Sequence, residues 1–202
     1  METRFARIIS VVLQPLLVPF YSLLIIFGLN TYISLVIPVQ AKQMILALVF
    51  ITTFLFPAIF IFLLYKRRII TTLQMENRNE RIFPMIITNI FYFLTFHMIR
   101  QMQLPDIYLR LFFGSAVVVL FTMVISLFWK ISAHMTGFGG LLGSLIGLSQ
   151  TIQYNLAGWV VIAIVCCGLV GFARLKLKAH TQTQVYAGFM SGMVIMLLFI
   201  IS

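Results

Sequence analysis

Long apolar runs separated by short polar stretches occupy the chain from end to end. We distinguish seven runs, at residues about 8 to 30, 43 to 65, 84 to 104, 109 to 129, 134 to 152, 156 to 173 and 182 to 201. Each is close to the roughly 20 residues that a helix needs to cross a bilayer. The alternating polar and apolar residues of a membrane β-barrel are absent. The pattern therefore predicts an all-α, polytopic bundle of six or seven transmembrane helices.

The fifth run differs from the others because it is rich in Gly, Ser and Thr. Gly139, Gly143 and Gly147 recur every four residues, so they share one helix face, and Gly188 with Gly192 repeats the spacing in the last run. Small residues at this spacing favour close packing of helix backbones, although they also leave room for the acyl chain of a ligand. We expect the fifth helix to lie inside the bundle rather than against lipid.

Composition places the whole chain in a membrane. Hydrophobic residues make up 62% of its 202 residues, and its mean hydropathy is +1.10, which leaves no segment polar enough for a separate soluble domain. We expect one integral membrane domain over residues 1–202, with the lipid bilayer as its main partner. The excess of 14 Lys and Arg over 4 acidic residues then indicates topology and anionic headgroups, not nucleic acid.

Polar residues gather in three clusters, at residues 66–84, 129–137 and 173–188. With seven crossings, these clusters follow the second, fourth and sixth spans, so all three lie on one face of the membrane, which is also the face of the N-terminus. Together they supply several cations and two histidines but almost no carboxylate, a combination that suits a phosphate group better than a metal ion. We therefore expect no metal and no cofactor.

The spacing within these clusters resembles the signatures of the type 2 phosphatidic acid phosphatases, the lipid phosphatases that share their site with vanadium-dependent haloperoxidases. Ala173-Arg174, five residues, His180, three residues and Gln184 follow the third signature, in which the last position is Asp. Ile131-Ser132-Ala133-His134 is similar to the second signature, P-S-G-H. The first signature, a Lys six residues before R-P, is matched least well, by the "ENRNERIFP" stretch at residues 76–84. The resemblance covers about residues 66–195.

The resemblance implies a role for each matched residue. His180 would attack phosphorus and become phosphorylated, His134 would protonate the leaving oxygen, and Gln184 would orient His180. Substrate phosphate would be bound by Arg174, Arg81, Arg78 and Ser132. The expected function is metal-independent hydrolysis of a phosphomonoester or diphosphate lipid headgroup, of the phosphatidic acid or prenyl diphosphate class. The oligomeric state is not indicated.

Gln184 is the main departure from the signatures, because an amide carries no charge where the family keeps a carboxylate. Glu76 or Glu80 could supply the missing charge from across the site. Alternatively, the chain is a catalytically impaired relative that binds or transports an anionic lipid. A third interpretation is that the clusters are only topological charge and the bundle serves assembly with a partner.

The basic residues also predict an orientation. Eleven Lys and Arg lie on the face of the three clusters and three lie on the other face, namely Lys42, Arg100 and Arg110. The positive-inside rule places the clusters in the cytoplasm of a bacterial inner membrane. Many members of the resembled family act instead on the outer side, which conflicts with this orientation.

Overall fold

The computed structural model describes residues 2–72 and 79–202, with the side chain of Asn79 left out. Ten α-helices are found in these ranges, and no β-strand. They are α1 (Glu2–Val12), α2 (Val18–Gly28), α3 (Tyr32–Leu35), α4 (Val39–Val49), α5 (Phe56–Lys66), α6 (Ile82–Gln101), α7 (Asp106–Phe128), α8 (Ala133–Thr151), α9 (Ala157–Lys176) and α10 (Gln182–Ile201). The predicted all-α class is confirmed.

Six helical stretches among the described residues are long and apolar enough to cross a membrane. They are Glu2–Gly28, Val39–Lys66, Ile82–Gln101, Asp106–Phe128, Ala157–Lys176 and Gln182–Ile201. Their outer faces carry large exposed apolar side chains, as expected where lipid is the solvent. The protein is therefore an integral membrane protein.

The remaining long helix, α8, lies in the interior of the bundle. Twelve of its residues are buried, including Phe138, Leu142 and Leu145. It runs parallel to α10 over the full length of that span, because Ser132 N donates to Gln184 O at one end (3.3 Å) and Thr151 Oγ1 donates to Ile200 O at the other (3.2 Å). The helix therefore lies inside the bundle, alongside the whole length of the span formed by α10.

Glycines bring the backbones of α8 and α10 into direct contact. A Cβ atom at Gly139 or Gly143 would collide with the carbonyl oxygen of Phe189 or Met193, and one at Gly192 would collide with that of Thr136. Lipid tails are as apolar as side chains, so this close packing, rather than a hydrophobic effect, holds the two helices together. Close packing is thus the reason for the glycine spacing along this interface.

The first crossing is broken, although the sequence predicts a continuous run. Its α1 ends at Val12, and a single 3₁₀ turn at Pro15–Leu17 precedes α2. Pro15 and Pro19 have no amide hydrogen to donate to the preceding turn, so a straight helix cannot continue through them. The second crossing contains a π-helical segment, Phe50–Leu55, between α4 and α5. Irregular backbone at membrane depth is tolerated where it lines a cavity, and Pro15 and Leu16 line one here.

Candidate functional site

The three polar clusters meet at one end of the bundle. The turn Asn79–Arg81 supplies Arg81, the start of α8 supplies Ser132 and His134, and the turn between α9 and α10 supplies His180. Arg81 joins two clusters directly, because its Nη1 donates to Ile131 O (3.1 Å) and its Nη2 donates to His180 Nε2 (3.4 Å). An ion pair between Glu2 and Lys176 places the N-terminus at the same end.

The turn between α9 and α10 fixes Arg174 relative to His180. The last turn of α9 closes with hydrogen bonds from Lys178 N to Leu175 O (2.9 Å) and from Ala179 N to Arg174 O (3.1 Å). Lys178 occupies the left-handed position of this helix end, with φ of 52°. The next helix, α10, starts at Gln182, three residues after Ala179, and is capped by Thr181. The spacing of Arg174 and His180 is therefore set by a helix end and a helix start with one short turn between them.

Gln184 determines which nitrogen of His180 carries the proton. Its Oε1 accepts the backbone N–H of Thr181 (3.2 Å) as part of a capping box, so the atom facing His180 must be the amide oxygen. His180 Nδ1 lies 3.1 Å from this oxygen and must be the donor. The neutral ring then has its lone pair on Nε2, which faces the guanidinium of Arg81.

Burial and neighbouring charge keep His180 neutral. The side chain is 7% exposed, and burial lowers the pKa of His180 to about 3, with the positive charges of Arg81 and Arg174 acting in the same direction. The hydrogen bond to Gln184 opposes this shift without reversing it. Burial also lowers the pKa of Arg81 to about 10, which leaves its guanidinium charged at neutral pH. The site therefore pairs an unprotonated imidazole with permanent cations.

Ser10, from the first crossing, is a site residue that sequence reasoning missed. Arg174 Nη1 donates to Ser10 Oγ at 2.8 Å, and His134 Nε2 donates to Ser10 O at 3.2 Å. The proton that the resemblance assigns to the leaving group thus lies on His134 Nε2 and faces Ser10. A serine within a long apolar run matches no signature, and these contacts link residues more than 120 positions apart, so the sequence alone could not have shown them.

Two buried polar groups near these residues have no hydrogen-bond partner in the described part of the chain. They are Arg174 Nε and Ser132 Oγ, on side chains that are 7% and 0% exposed. Ser132 is the N-cap residue of α8, yet its hydroxyl does not cap that helix, so the first amides of α8 also lack their usual side-chain acceptor. A guanidinium N–H, a hydroxyl and the amides of a helix N-terminus are hydrogen-bond donors of the kind that bind an anion.

Glu80, a predicted residue of the first cluster, contacts Thr71 in the described part of the chain. The carboxylate of Glu80 accepts hydrogen bonds from Thr71, at 2.9 Å from its backbone N and 3.0 Å from its Oγ1. The oxygen that His180 Nδ1 contacts is therefore that of the Gln184 amide, while the Glu80 carboxylate contacts Thr71. Glu76 and Arg78 lie outside the described residues.

A cavity of about 1150 Å³ opens at the site and extends into the bundle. Its mouth is lined by the polar side chains of Ser10 and His134 and by the cations Arg7, Arg81, Lys130, Arg174 and Lys178, and no acidic residue is found among its described lining. Apolar residues line it further in. Such a cavity can hold a ligand that is anionic at one end and apolar at the other.

His97 and Arg100, the polar residues of the third apolar run, lie outside the site. His97 is exposed and bonds Gln101 near the end of α6, and Arg100 is exposed beside it. Within residues 2–72 and 79–202, no three His, Cys, Asp or Glu side chains lie close enough to share a metal ion.

Comparison with known proteins gives no match to this chain, whether with family models, with curated proteins or with solved structures. The site must therefore be interpreted from its own geometry.

Proposed function

We propose that this protein is a metal-independent lipid phosphate phosphatase, related in mechanism to the type 2 phosphatidic acid phosphatases, that acts through a phosphohistidine at His180. One observation carries the proposal: His180 is held neutral, with the lone pair of Nε2 facing a guanidinium. A nucleophile for phosphorus must be unprotonated at the attacking nitrogen, and the phosphate that it attacks must be held by cations; a bound phosphate would take over the Arg81 N–H that Nε2 now accepts. Both conditions are met at the same nitrogen.

The reaction would proceed in two steps. In the first step, His180 Nε2 forms a bond to phosphorus and the bond from phosphorus to the lipid oxygen breaks, while His134, in its imidazolium form, gives a proton to that oxygen and becomes neutral. In the second step, water gives a proton to His134 and its oxygen bonds to phosphorus, the bond to Nε2 breaks, and inorganic phosphate leaves with His134 protonated again. Arg174, the Ser132 hydroxyl and the first amides of α8 would hold the equatorial oxygens, whose charge grows in the transition state.

Phosphate release from purified protein in bilayer nanodiscs tests the proposal, with phosphatidic acid and prenyl diphosphates as substrates. We expect His180→Ala to abolish release. The matched control is His97→Ala, because His97 is an exposed histidine on the opposite face of the bundle. Equal release by wild type and His180→Ala would refute the phosphohistidine mechanism.

A second candidate function is binding or transport of an anionic lipid without turnover. Two observations favour it: Gln184 gives His180 a neutral partner, and Ser10 accepts the hydrogen bond of Arg174 that a phosphate oxygen would otherwise accept. In this case the protein would bind phosphatidic acid but release no phosphate. Arg174→Gln would weaken that binding, whereas Lys176→Gln, which changes a neighbouring cation paired with Glu2, would not.

The orientation is part of the proposal. The excess of basic residues on the site face favours a site at the cytoplasmic side of a bacterial inner membrane. Lys178 is exposed at the mouth of the cavity, so Lys178→Cys, in a chain that lacks Cys166 and Cys167, reports its side of the membrane. We expect an impermeant thiol reagent to leave it unmodified in intact cells, and labelling would place the site outside.

A further inference from the structure

We propose that the cavity holds the hydrocarbon tail of the lipid phosphate inside the bundle, rather than leaving the tail in the surrounding bilayer. This inference rests on the proposed function for the headgroup, and it assigns the inner part of the cavity to the tail. We call this inner part the tail chamber and define it by the lining residues Ala58, Tyr92, Ser115, Gly137 and Gly140.

The depth of the tail chamber follows from the helices that line it. Tyr92 lies eleven residues after Arg81 along α6, which corresponds to about 16 Å at a rise of about 1.5 Å per residue. Ser115 lies thirteen residues before the end of α7 at Phe128, which corresponds to about 20 Å. The hydrocarbon core of a bilayer is about 30 Å thick, so the cavity reaches from the charged face to at least mid-membrane.

The hydroxyl groups of the serines and threonines in the cavity lining, unlike the phenol of Tyr92, add little polarity to the cavity. Each of four lining residues donates its hydroxyl to a carbonyl four residues earlier in its own helix, at 2.7 to 3.0 Å: Ser22, Thr88, Ser115 and Thr122. Their hydrogen-bonding capacity as donors is thereby used within the helix, and their carbon atoms are left to contact a ligand. A cavity lined in this way offers few partners to water and favours an apolar occupant.

Small residues create the space. Ala58 and Ser115 lie on two different helices that line the cavity, so larger side chains at these positions would reduce its volume. At Gly137 and Gly140 a Cβ atom would instead approach Pro15 and Met196, to 3.1 and 3.2 Å, so these glycines let other lining residues pack against α8. The space reaches the cations of the site, because Arg81, Arg174 and His134 line the same cavity. The occupant is therefore expected to join an anionic headgroup to a long apolar tail in a single molecule.

Binding of alkylphosphonates tests the proposal without depending on turnover, because their carbon–phosphorus bond is not hydrolysed. We would use butyl and dodecyl phosphonates, the longer one kept below its micelle concentration, because an octyl tail is too short to reach Tyr92 and Ser115. The full chain is held in phosphatidylcholine nanodiscs, and calorimetry is the readout. Each methylene that enters an apolar chamber raises affinity about fourfold, so dodecyl should bind roughly 10⁴-fold more tightly than butyl.

The decisive variants lie on opposite walls of the tail chamber. Ala58→Phe on α5 and Ser115→Leu on α7 should each reduce the ratio of dodecyl to butyl affinity at least roughly tenfold, because the lost methylenes contribute about fourfold each. Ile59→Phe, the neighbouring change on the lipid-facing side of α5, should keep the wild-type ratio. A ratio that is the same in all four proteins would overturn the proposal, because the tail would then lie in the bilayer.

Turnover measured in parallel separates this inference from the proposed function. If phosphate release does not depend on His180 while the affinity ratio still falls in Ala58→Phe, the catalytic proposal fails and the tail chamber stands. If His180→Ala abolishes release but the ratio does not change, the catalytic proposal stands and the tail chamber is refuted.

Discussion

Replacing Gln184 by Glu adds one negative charge beside His180 without changing the shape of the site. Both side chains have the same length, and Glu is as good a capping-box residue as Gln, so the bonds from His180 Nδ1 and Thr181 N should persist. A carboxylate about 4 Å from the imidazole, at an effective dielectric constant of about 20, stabilises a positive ring by about 4 kcal/mol.

This energy predicts changes in both the ionisation and the rate. Four kcal/mol corresponds to about three pKa units, so the pKa of His180 should rise from about 3 to about 6. As His180 attacks phosphorus, its ring gains positive charge, and the same interaction should raise turnover by up to about 10³-fold. The analogous loss of a carboxylate in a serine protease triad costs about 10⁴-fold.

Phosphate release from phosphatidic acid at pH 7.5 is the assay, and Gln182→Glu is the matched control. Gln182 is exposed in the same helical turn, so its replacement adds the same charge at the same helix N-terminus without contact to His180. Phosphate release that rises only in Gln184→Glu, and that is lost when His180→Ala is added, would support the interpretation that the site is a degraded active site. Equal turnover in the two Glu variants would refute the reasoning.

The acid side of the pH profile gives an independent check on the same variant. A protonated imidazole has no lone pair on Nε2, so the rate falls as pH decreases through the pKa of His180. In wild type that pKa is about 3, and this loss should not occur between pH 5 and 7. In Gln184→Glu, the rate relative to wild type should fall below about pH 6. Taking the ratio of the two profiles cancels the ionisation of the substrate.

Three further variants test the packing and the anion site. Gly143→Ala should destabilise the fold by about 1–3 kcal/mol in thermal unfolding, because its Cβ meets the Met193 carbonyl, whereas Gly168→Ala, with open space around it, should not; equal melting temperatures would refute the packing account. Arg174→Lys should weaken binding of butylphosphonate about 10-fold to 100-fold, since a fork of donors becomes a point charge; unchanged affinity would remove Arg174 from the site. Ser10→Ala should strengthen butylphosphonate binding roughly fivefold, because it frees the Arg174 guanidinium. Weaker binding would show instead that Ser10 orients this guanidinium.

The sequence predicts the helices well because the physical constraint on them is simple. A span must satisfy its backbone hydrogen bonds internally and present apolar side chains, so runs such as 182–201 are visible directly, and α10 is found at Gln182–Ile201. The break in the first crossing also has a sequence signal, because the prolines at positions 15 and 19 cannot donate backbone hydrogen bonds within a continuous helix.

The site is predictable only where its residues share one local element. Arg174, His180 and Gln184 lie within eleven consecutive residues, and their spacing around one turn is a sequence property. Ser10 and the tail chamber depend on how several helices pack against each other. The hydrophobic periodicity of one sequence does not indicate which serine of one span will contact an arginine of another span.

The charge at position 184 links the two candidate functions and leads to one more prediction. Gln184 already satisfies the helix start, so the fold does not require a carboxylate there. Without one, the described lining of the cavity carries cations and no acidic residue, which favours tight binding of an anion. The same missing charge leaves His180 without support as it becomes positive during attack. A negative charge at position 184 should therefore raise turnover and lower the affinity for an anion.

Butylphosphonate binding to Gln184→Glu tests this trade-off. We expect affinity to fall by about 10-fold or more, because a carboxylate near the bound phosphonate repels it, in the same variant whose turnover rises. Gln182→Glu should lower affinity much less, since its added charge is exposed and screened by salt. If affinity and turnover both rise in Gln184→Glu, the neutral amide does not favour anion binding at the expense of turnover. The interpretation of this protein as an anion binder then loses its physical basis.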